Sequence, residues 1–198
     1  MQKTLALFDI DGTLTTKDTM FAFVRHVVGT PSLLFGLWWM APMLLLARFG
    51  IIDRGAAKGR MLRWFFRNHT RDRLEAAAEN FVVQVLPGLL RPDGLKKLEA
   101  HREAGDTIYF VSASLDLWLA PFARQQDVPL LCTPTAWTGE HMTGLAGPNC
   151  RGEEKVRRIK KAVKTLDYEK IVAYGDSSGD TQMLALATTP HFKPFRSA

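Results

Sequence analysis

The sequence predicts an α/β fold: a parallel sheet covered by helices on both faces and interrupted near its start by a helical insertion. Three observations carry this. A short apolar run, Leu5 to Phe8, leads into the acidic pair Asp9 and Asp11. A helical pattern then extends from about residue 18 to residue 85. Beyond Pro87-Gly88, strand-like and helix-like segments alternate towards the end of the chain, which is the pattern of a sheet with helices on both sides.

Residues 3–9 read as a buried strand because Leu5, Ala6, Leu7 and Phe8 are continuous and the run breaks at Asp11-Gly12. The insertion opens with Phe21, Phe23, Val24, Val27 and Val28 at helical spacing, continues through a long apolar stretch, and closes with helical patterns over 61–66 and 74–85. A helix over 92–104, a strand over 107–111, a helix over 116–126 and a strand over 129–132 follow as βα units. Residues 136–147 read as a hairpin, 153–166 as a basic helix, 170–174 as a buried strand and 179–187 as a final helix. The expected organisation is a core of residues 1–15 and 88–198 with a helical cap over 16–87. Met1 to Asp9 runs into acids instead of showing a basic start and a small-residue cleavage site, so the amino terminus reads as part of the fold. Cys132 and Cys150 lie far apart and fit no metal-ligand spacing, which points to a reducing cytoplasm.

The chemistry concentrates at strand ends. Asp9-Ile10-Asp11-Gly12-Thr13 places two carboxylates two residues apart, and the period of a strand aims both the same way. Two such charges repel unless one is protonated or a cation neutralises them, and hard oxygen ligands suit Mg²⁺. Asp176 and Asp180, in Gly175-Asp176-Ser177-Ser178-Gly179-Asp180, follow a second apolar strand. Both pairs are expected at the carboxyl edge of one sheet, where open α/β folds place their sites. Ser112, after the 107–111 strand, and Lys155, near the start of a helix, can hold phosphate oxygens and offset charge on a transferred phosphoryl group. Strand-end acids also cap helices, but capping does not explain why all four signals recur at successive strand ends.

Asp9-Ile10-Asp11-Gly12-Thr13-Leu14, Ser112, Lys155 and Gly175-Asp176-Ser177-Ser178-Gly179-Asp180 resemble, in order, the four motifs of the haloacid dehalogenase superfamily. The resemblance implies a doubly wound, Rossmann-like sheet with a helical cap inserted after the first strand, as in the phosphoserine-phosphatase-like branch. It further implies a phosphatase in which Asp9 is the nucleophile and Asp11 the acid and base. Asp9, Asp176 and the Asp11 carbonyl would ligate Mg²⁺, Asp180 would support them, and Ser112 and Lys155 would hold the phosphoryl oxygens. Ser112-Ala113-Ser114-Leu115-Asp116 departs from the Ser-Gly-Gly-Phe pattern usual in phosphoserine phosphatases, which argues against phosphoserine itself as substrate.

The cap bears on substrate. Between Arg25 and Arg48 lie 22 residues without Asp, Glu, Lys or Arg, and residues 33–47 are almost wholly apolar. A cap of about 70 residues has little interior to hide a helix apolar all round, so segment 31–48 is expected at the surface or in a membrane interface; the bland alternative is a helix buried among its neighbours. Arg48, Arg54, Lys58, Arg60, Arg63 and Arg67, with Trp38, Trp39 and Trp64, form a mixture suited to anionic headgroups. Gly36 and Pro42 interrupt the stretch, which favours lying in the interface over spanning. The cap resembles that of the phosphatidylglycerophosphatase C family of bacterial lipid phosphatases, which implies a lipid phosphate such as phosphatidylglycerophosphate. The expected location is cytoplasmic, against the inner face of the cell membrane.

The net charge of +6 favours anionic partners, but the chain carries no nucleic-acid module and nucleic acid is not expected as a partner. A phosphorylated small metabolite remains an alternative substrate. From other classes, a phospho-accepting signalling module and a membrane-binding scaffold share some features. Receiver domains are shorter and have neither a helical insertion after the first strand nor a second acidic pair near the carboxyl end.

Overall fold

The computed structural model describes residues 3–196; Met1 and Gln2 of the expected amino-terminal stretch, and Ser197 and Ala198 of the expected core, lie outside the described residues. The chain begins with β1 (Thr4–Phe8), then builds the insertion from α1 (Thr19–Arg48), α2 (Arg54–Phe66) and α3 (Arg71–Gln84). It returns through α4 (Pro92–Glu103), β2 (Thr107–Leu115), α5 (Asp116–Gln125) and β3 (Leu130–Thr133). A hairpin of β4 (Thr135–Thr138) and β5 (His141–Leu145) precedes α6 (Glu153–Ala162), β6 (Lys170–Gly175), α7 (Thr181–Leu186) and β7 (Thr189–Phe192).

The main sheet has the order β3-β2-β1-β6-β7 and is parallel throughout. The order runs outward from β1 in both directions, so the two halves of the sheet are wound oppositely and diverge at the carboxyl ends of β1 and β6. Strand β1 is buried on both faces: Ala6 and Phe8 join one core cluster with Phe110 and Trp118, while Leu5 and Leu7 join the other with Val111, Ile159 and Met183. That is why it reads as an unbroken apolar run and not as an alternation.

Three elements differ from expectation. Strand β7 was not anticipated; its sequence, Thr-Pro-His-Phe, is short and contains Pro190, tolerated because β7 is an edge strand. Helix α6 ends at Ala162 instead of residue 166, because Val163 turns extended (φ −136°, ψ 142°). Strand β2 continues past Val111 to Leu115, with an irregular register against β3 between those residues. Ser112 therefore sits inside a strand.

The cap leaves and rejoins the core side by side. Thr15 and Leu90 form an antiparallel bridge, with Thr16 N–H donating to Leu89 O at 2.7 Å and Arg91 N–H to Leu14 O at 2.7 Å. Helix α1 breaks at Gly29 (φ 79°, ψ 164°), a conformation open to glycine, and Pro31 restarts it where a missing N–H leaves no bond unmade. The second limb carries the apolar stretch. Leu33, Gly36, Met40 and Ala47 are buried at helical spacing, and Gly36 lets the Phe65 and Trp64 rings of α2 approach. The opposite face is uncovered: Trp38 is 70 % exposed, Trp39 63 % and Phe49 76 %, and Leu34, Phe35, Leu45 and Ile51 are exposed beside them. The fully buried alternative fails because these side chains stay exposed: α2 packs along α1, while α3 packs chiefly against α5 of the core.

Candidate active site

The central strands bring the predicted residues together. Asp9 follows the last residue of β1, Ser112 lies in the neighbouring β2, and Asp176 follows β6 on the other side. Lys155 arrives from the first turn of α6. Its side chain is buried, and Nζ donates to Asp9 Oδ1 at 2.6 Å, Asp180 Oδ1 at 2.6 Å and Val111 O at 2.7 Å, which uses all three ammonium hydrogens. Thr13 Oγ1 donates to Asp9 Oδ2 at 2.9 Å. Asp180 Oδ2 accepts from Ser177 Oγ at 2.8 Å, Ser177 N–H at 3.0 Å and Asp176 N–H at 3.2 Å, so this carboxylate ties the acidic loop together.

Asp11 turns from Asp9 towards the cap. Its Oδ1 accepts from both the N–H and the Oγ1 of Thr19, each at 2.6 Å, and its Oδ2 accepts from Ser112 Oγ at 3.2 Å. The wide turn over residues 10–14 that separates the two aspartates needs Gly12 at φ 82°, and a Cβ there would overlap the Asp176 carboxylate. Gly12→Ala is therefore expected to cost on the order of 1–3 kcal/mol in backbone strain and to displace Asp176. Turnover should fall further than thermal stability, which parallel melting and rate measurements would read.

The electrostatics follow from burial. Burial raises the Asp9 carboxyl, Lys155 opposes and Asp180 adds to the rise, leaving it at about 7. Burial would raise Asp180 as well, but Lys155 and Ser177 hold it below the ordinary carboxylate value. Asp176 is raised by burial and by Asp180, against Arg196, whose Nη2 lies 2.8 Å from Asp176 Oδ2. Lys155 is raised: burial lowers it, but Asp9 and Asp180 outweigh that. The four carboxyl groups of Asp9, Asp11, Asp176 and Asp180 thus outnumber the two cations paired with them, Lys155 and Arg196.

That surplus fits a hard divalent cation. Asp9, Asp176 and Asp180 each offer a carboxylate oxygen, all within 4.8 Å of one another, an oxygen donor set of the kind Mg²⁺ takes. The Asp11 carboxylate is not in this group.

A pocket of about 400 Å³ opens over these residues and adds side chains that sequence reasoning missed. Asp18 and Lys58 face it from the cap. Asp18 caps α1, accepting from Met20 N–H at 2.8 Å, and burial together with Asp11 raises its carboxyl to about 6. Lys58 stood among the basic residues expected to face headgroups; instead it turns inward, donates to Ala113 O at 2.8 Å and is lowered by burial. The signal available was position: Lys58 lies on the same helix face as Met61, Leu62 and Phe65, which are buried. Arg151 and Arg196 line the pocket too, and neither had a sequence signature.

The chain is similar to known proteins over most of its length. The chain matches the haloacid dehalogenase-like hydrolase family over residues 6–185. It is 38 % identical over 198 residues to Protein CicA of Caulobacter vibrioides, covering 97 % of this chain and 86 % of that one. Among solved structures, a protein of unknown function from Bordetella pertussis Tohama I superposes with TM-score 0.80 at 24 % identity, over 95 % of this chain and 88 % of the other. A phosphoserine phosphatase carrying a phospho-aspartyl intermediate analogue superposes with TM-score 0.65 at 15 % identity, over 94 % and 84 %. With the motif residues gathered at one sheet edge and the family matched over most of its length, this chain belongs to the haloacid dehalogenase-like hydrolases, as an enzyme with the fold of their phosphoserine-phosphatase-like branch.

Proposed function

We propose that the enzyme is a Mg²⁺-dependent phosphomonoesterase working through an aspartyl-phosphate on Asp9, and that its substrate is a lipid phosphate presented at an anionic membrane surface. The observation that carries the substrate class is the uncovered apolar face of the cap. A second cavity, of about 560 Å³, supports it: this cavity shares Lys17 and Asp18 with the catalytic pocket and continues past Phe21, Ala22 and Leu33 towards the apolar limb. The aromatic and aliphatic side chains on that limb are far more than scattered surface apolar residues, and the arginines around them suit an anionic interface.

In this reading Asp9 attacks phosphorus while the bond to the leaving oxygen breaks and Asp11, as the acid, delivers its proton to that oxygen. Asp11 then takes a proton from water, the water oxygen bonds phosphorus, and the Asp9–phosphorus bond breaks. Bound Mg²⁺, held by Asp9, Asp176 and the Asp11 carbonyl, would neutralise charge that otherwise keeps carboxylate and phosphate apart. Lys155 orients Asp9; to hold phosphoryl oxygens as well, Lys155 and Ser112 would each exchange a present hydrogen bond, to a carboxylate of the cluster and to Asp11, for one to the substrate.

The soluble-metabolite alternative has its own support. Asp18 and Lys58 hang over the pocket as a carboxylate and an ammonium, a pair suited to a small zwitterion. The deciding experiment is Mg²⁺-dependent phosphate release from micellar phosphatidylglycerophosphate and from soluble phosphoserine, with and without chelator. Release from the lipid alone is expected; release from phosphoserine alone would overturn the lipid assignment. Independently, Trp38→Glu/Trp39→Glu should weaken sedimentation with anionic vesicles by at least about tenfold, since each change replaces an indole on the interface with a charge. Activity on a soluble phosphate ester should be retained. Unchanged sedimentation would return the apolar face to a role without lipid.

A further inference from the structure

Beside the catalytic pocket lies a larger cavity of about 850 Å³ between α2, strand β5 and the 147–152 loop. Four guanidiniums line it, from Arg54, Arg60, Arg63 and Arg151, against the single carboxylate of Asp53. Asp53 is already committed, its Oδ1 capping α2 by accepting from Ala56 N–H at 2.7 Å. Arg54 is partly committed too, with its Nε and Nη2 each 3.4 Å from the Ala47 and Arg48 carbonyls.

Arg60 and Arg63 make no ion pair among the described residues, whereas Arg71, Arg102, Arg124, Arg157 and Arg158 all pair with glutamates. Arg151 has no carboxylate partner among the described residues either; its Nη2 donates to Ser178 Oγ at 2.7 Å, in the acidic loop. Arg151 also lines the catalytic pocket, so the two spaces meet at one guanidinium. A concave site of unpaired guanidiniums is built for a phosphate oxyanion, because the planar fork of arginine matches it with paired hydrogen bonds.

We propose that this cavity is a second anion subsite. It holds the internal phosphodiester of a substrate whose terminal phosphomonoester is cleaved at Asp9. This rests on the phosphomonoesterase reading above and narrows its substrate to a molecule with two phosphate groups. The apolar limb then meets the membrane, the catalytic pocket takes the monoester, and Arg60, Arg63 and Arg151 bind the linking diester.

The test uses the full chain with Mg²⁺ and two soluble probes. One is a short-chain glycerolipid below its micelle concentration, bearing a terminal phosphomonoester and an internal phosphodiester; the other is glycerol 3-phosphate, which has the monoester alone. Arg60→Ala/Arg63→Ala should raise KM for the two-phosphate probe by about tenfold or more, from the loss of charge-assisted hydrogen bonds. Its kcat/KM on glycerol 3-phosphate should not change. Arg60→Lys/Arg63→Lys should recover only part of the KM.

An unchanged KM on the two-phosphate probe overturns the subsite. If binding to phosphatidylglycerol vesicles falls in that case, the arginines serve surrounding headgroups; if it does not, they are a solvated helix face. A binding arm keeps the two readings separable. Calorimetry of the uncleaved two-phosphate probe compares Asp9→Asn with Asp9→Asn/Arg60→Ala/Arg63→Ala. If the wild type cleaves neither probe, the catalytic reading fails, yet a tenfold or greater weakening between these two variants still supports the subsite, and equal affinity overturns it.

Discussion

Asp9→Asn is expected to abolish phosphate release while leaving a folded protein, with a loss on the order of 10³-fold or more, as for other covalent nucleophiles. The amide keeps the shape: its oxygen can still accept from Lys155, and its NH2 can donate to the Thr13 hydroxyl, which now donates to the second Asp9 oxygen, so the fold has little reason to change. What disappears is the anionic oxygen that would attack phosphorus. A labelled phosphoryl group should appear transiently on the wild type and never on the variant. A long-lived label on the wild type would instead mark a phospho-accepting module.

Stability offers a second readout. The folded Asp9 carboxyl, raised from 3.8 to about 7, binds its proton more tightly than the unfolded chain does. Its contribution to stability is therefore fully present below about pH 4 and is lost as pH rises through about 7. Without metal, the melting temperature of the wild type should fall across that window relative to Asp9→Asn, and Mg²⁺ should restore it at pH 8. Identical pH profiles for the two proteins in chelator would contradict the buried-charge argument.

Lys155→Met is expected to be the most destabilising change in the core, costing about 3–5 kcal/mol in denaturant unfolding, because it leaves the buried Asp9 and Asp180 carboxylates without the cation between them. The side chain of Lys155 is almost wholly inside, so water cannot substitute. Lys155→Met/Asp180→Asn should recover a large part of the loss, since the two changes touch one network and will not add. Saturating Mg²⁺ should also recover part of it by neutralising the same oxygens. A loss below about 1 kcal/mol, the range of exposed ion pairs, would mean the cluster is solvated and not buried.

Much of this site was legible before any coordinates, because its residues follow apolar strands and strand ends are well marked in sequence. Asp9, Asp176 and Asp180 converge because they follow β1 and β6, which are neighbours with aligned ends, while Ser112 lies within the adjacent β2 and Lys155 reaches the cluster from α6. What was not legible depends on tertiary packing. Lys58 looks like any basic residue of a solvated helix until α2 is laid across the pocket. Strand β7 has too few residues, and a proline, to announce itself by alternation. The break at Gly29 falls between two stretches that are each helical in pattern, so nothing but the adjacent Pro31 hints at it. The exposed face of the apolar limb was anticipated from size alone: a cap of about 70 residues has little interior in which to enclose a helix apolar all round.

The bridge between Thr15 and Leu90 gives the insertion an unusual economy. Because the chain departs and returns through adjacent, hydrogen-bonded backbone, the core experiences the whole cap as one closed loop, and loop-closure entropy grows only with the logarithm of loop length. Shortening, lengthening or exchanging the intervening helices would change the cost of closing that loop by little. The tether that such grafting must preserve is chemical: Thr19, the first residue of α1, holds the Asp11 carboxylate, so a transplanted cap would need a hydroxyl and a free N–H at that one position to leave the acid where the core requires it.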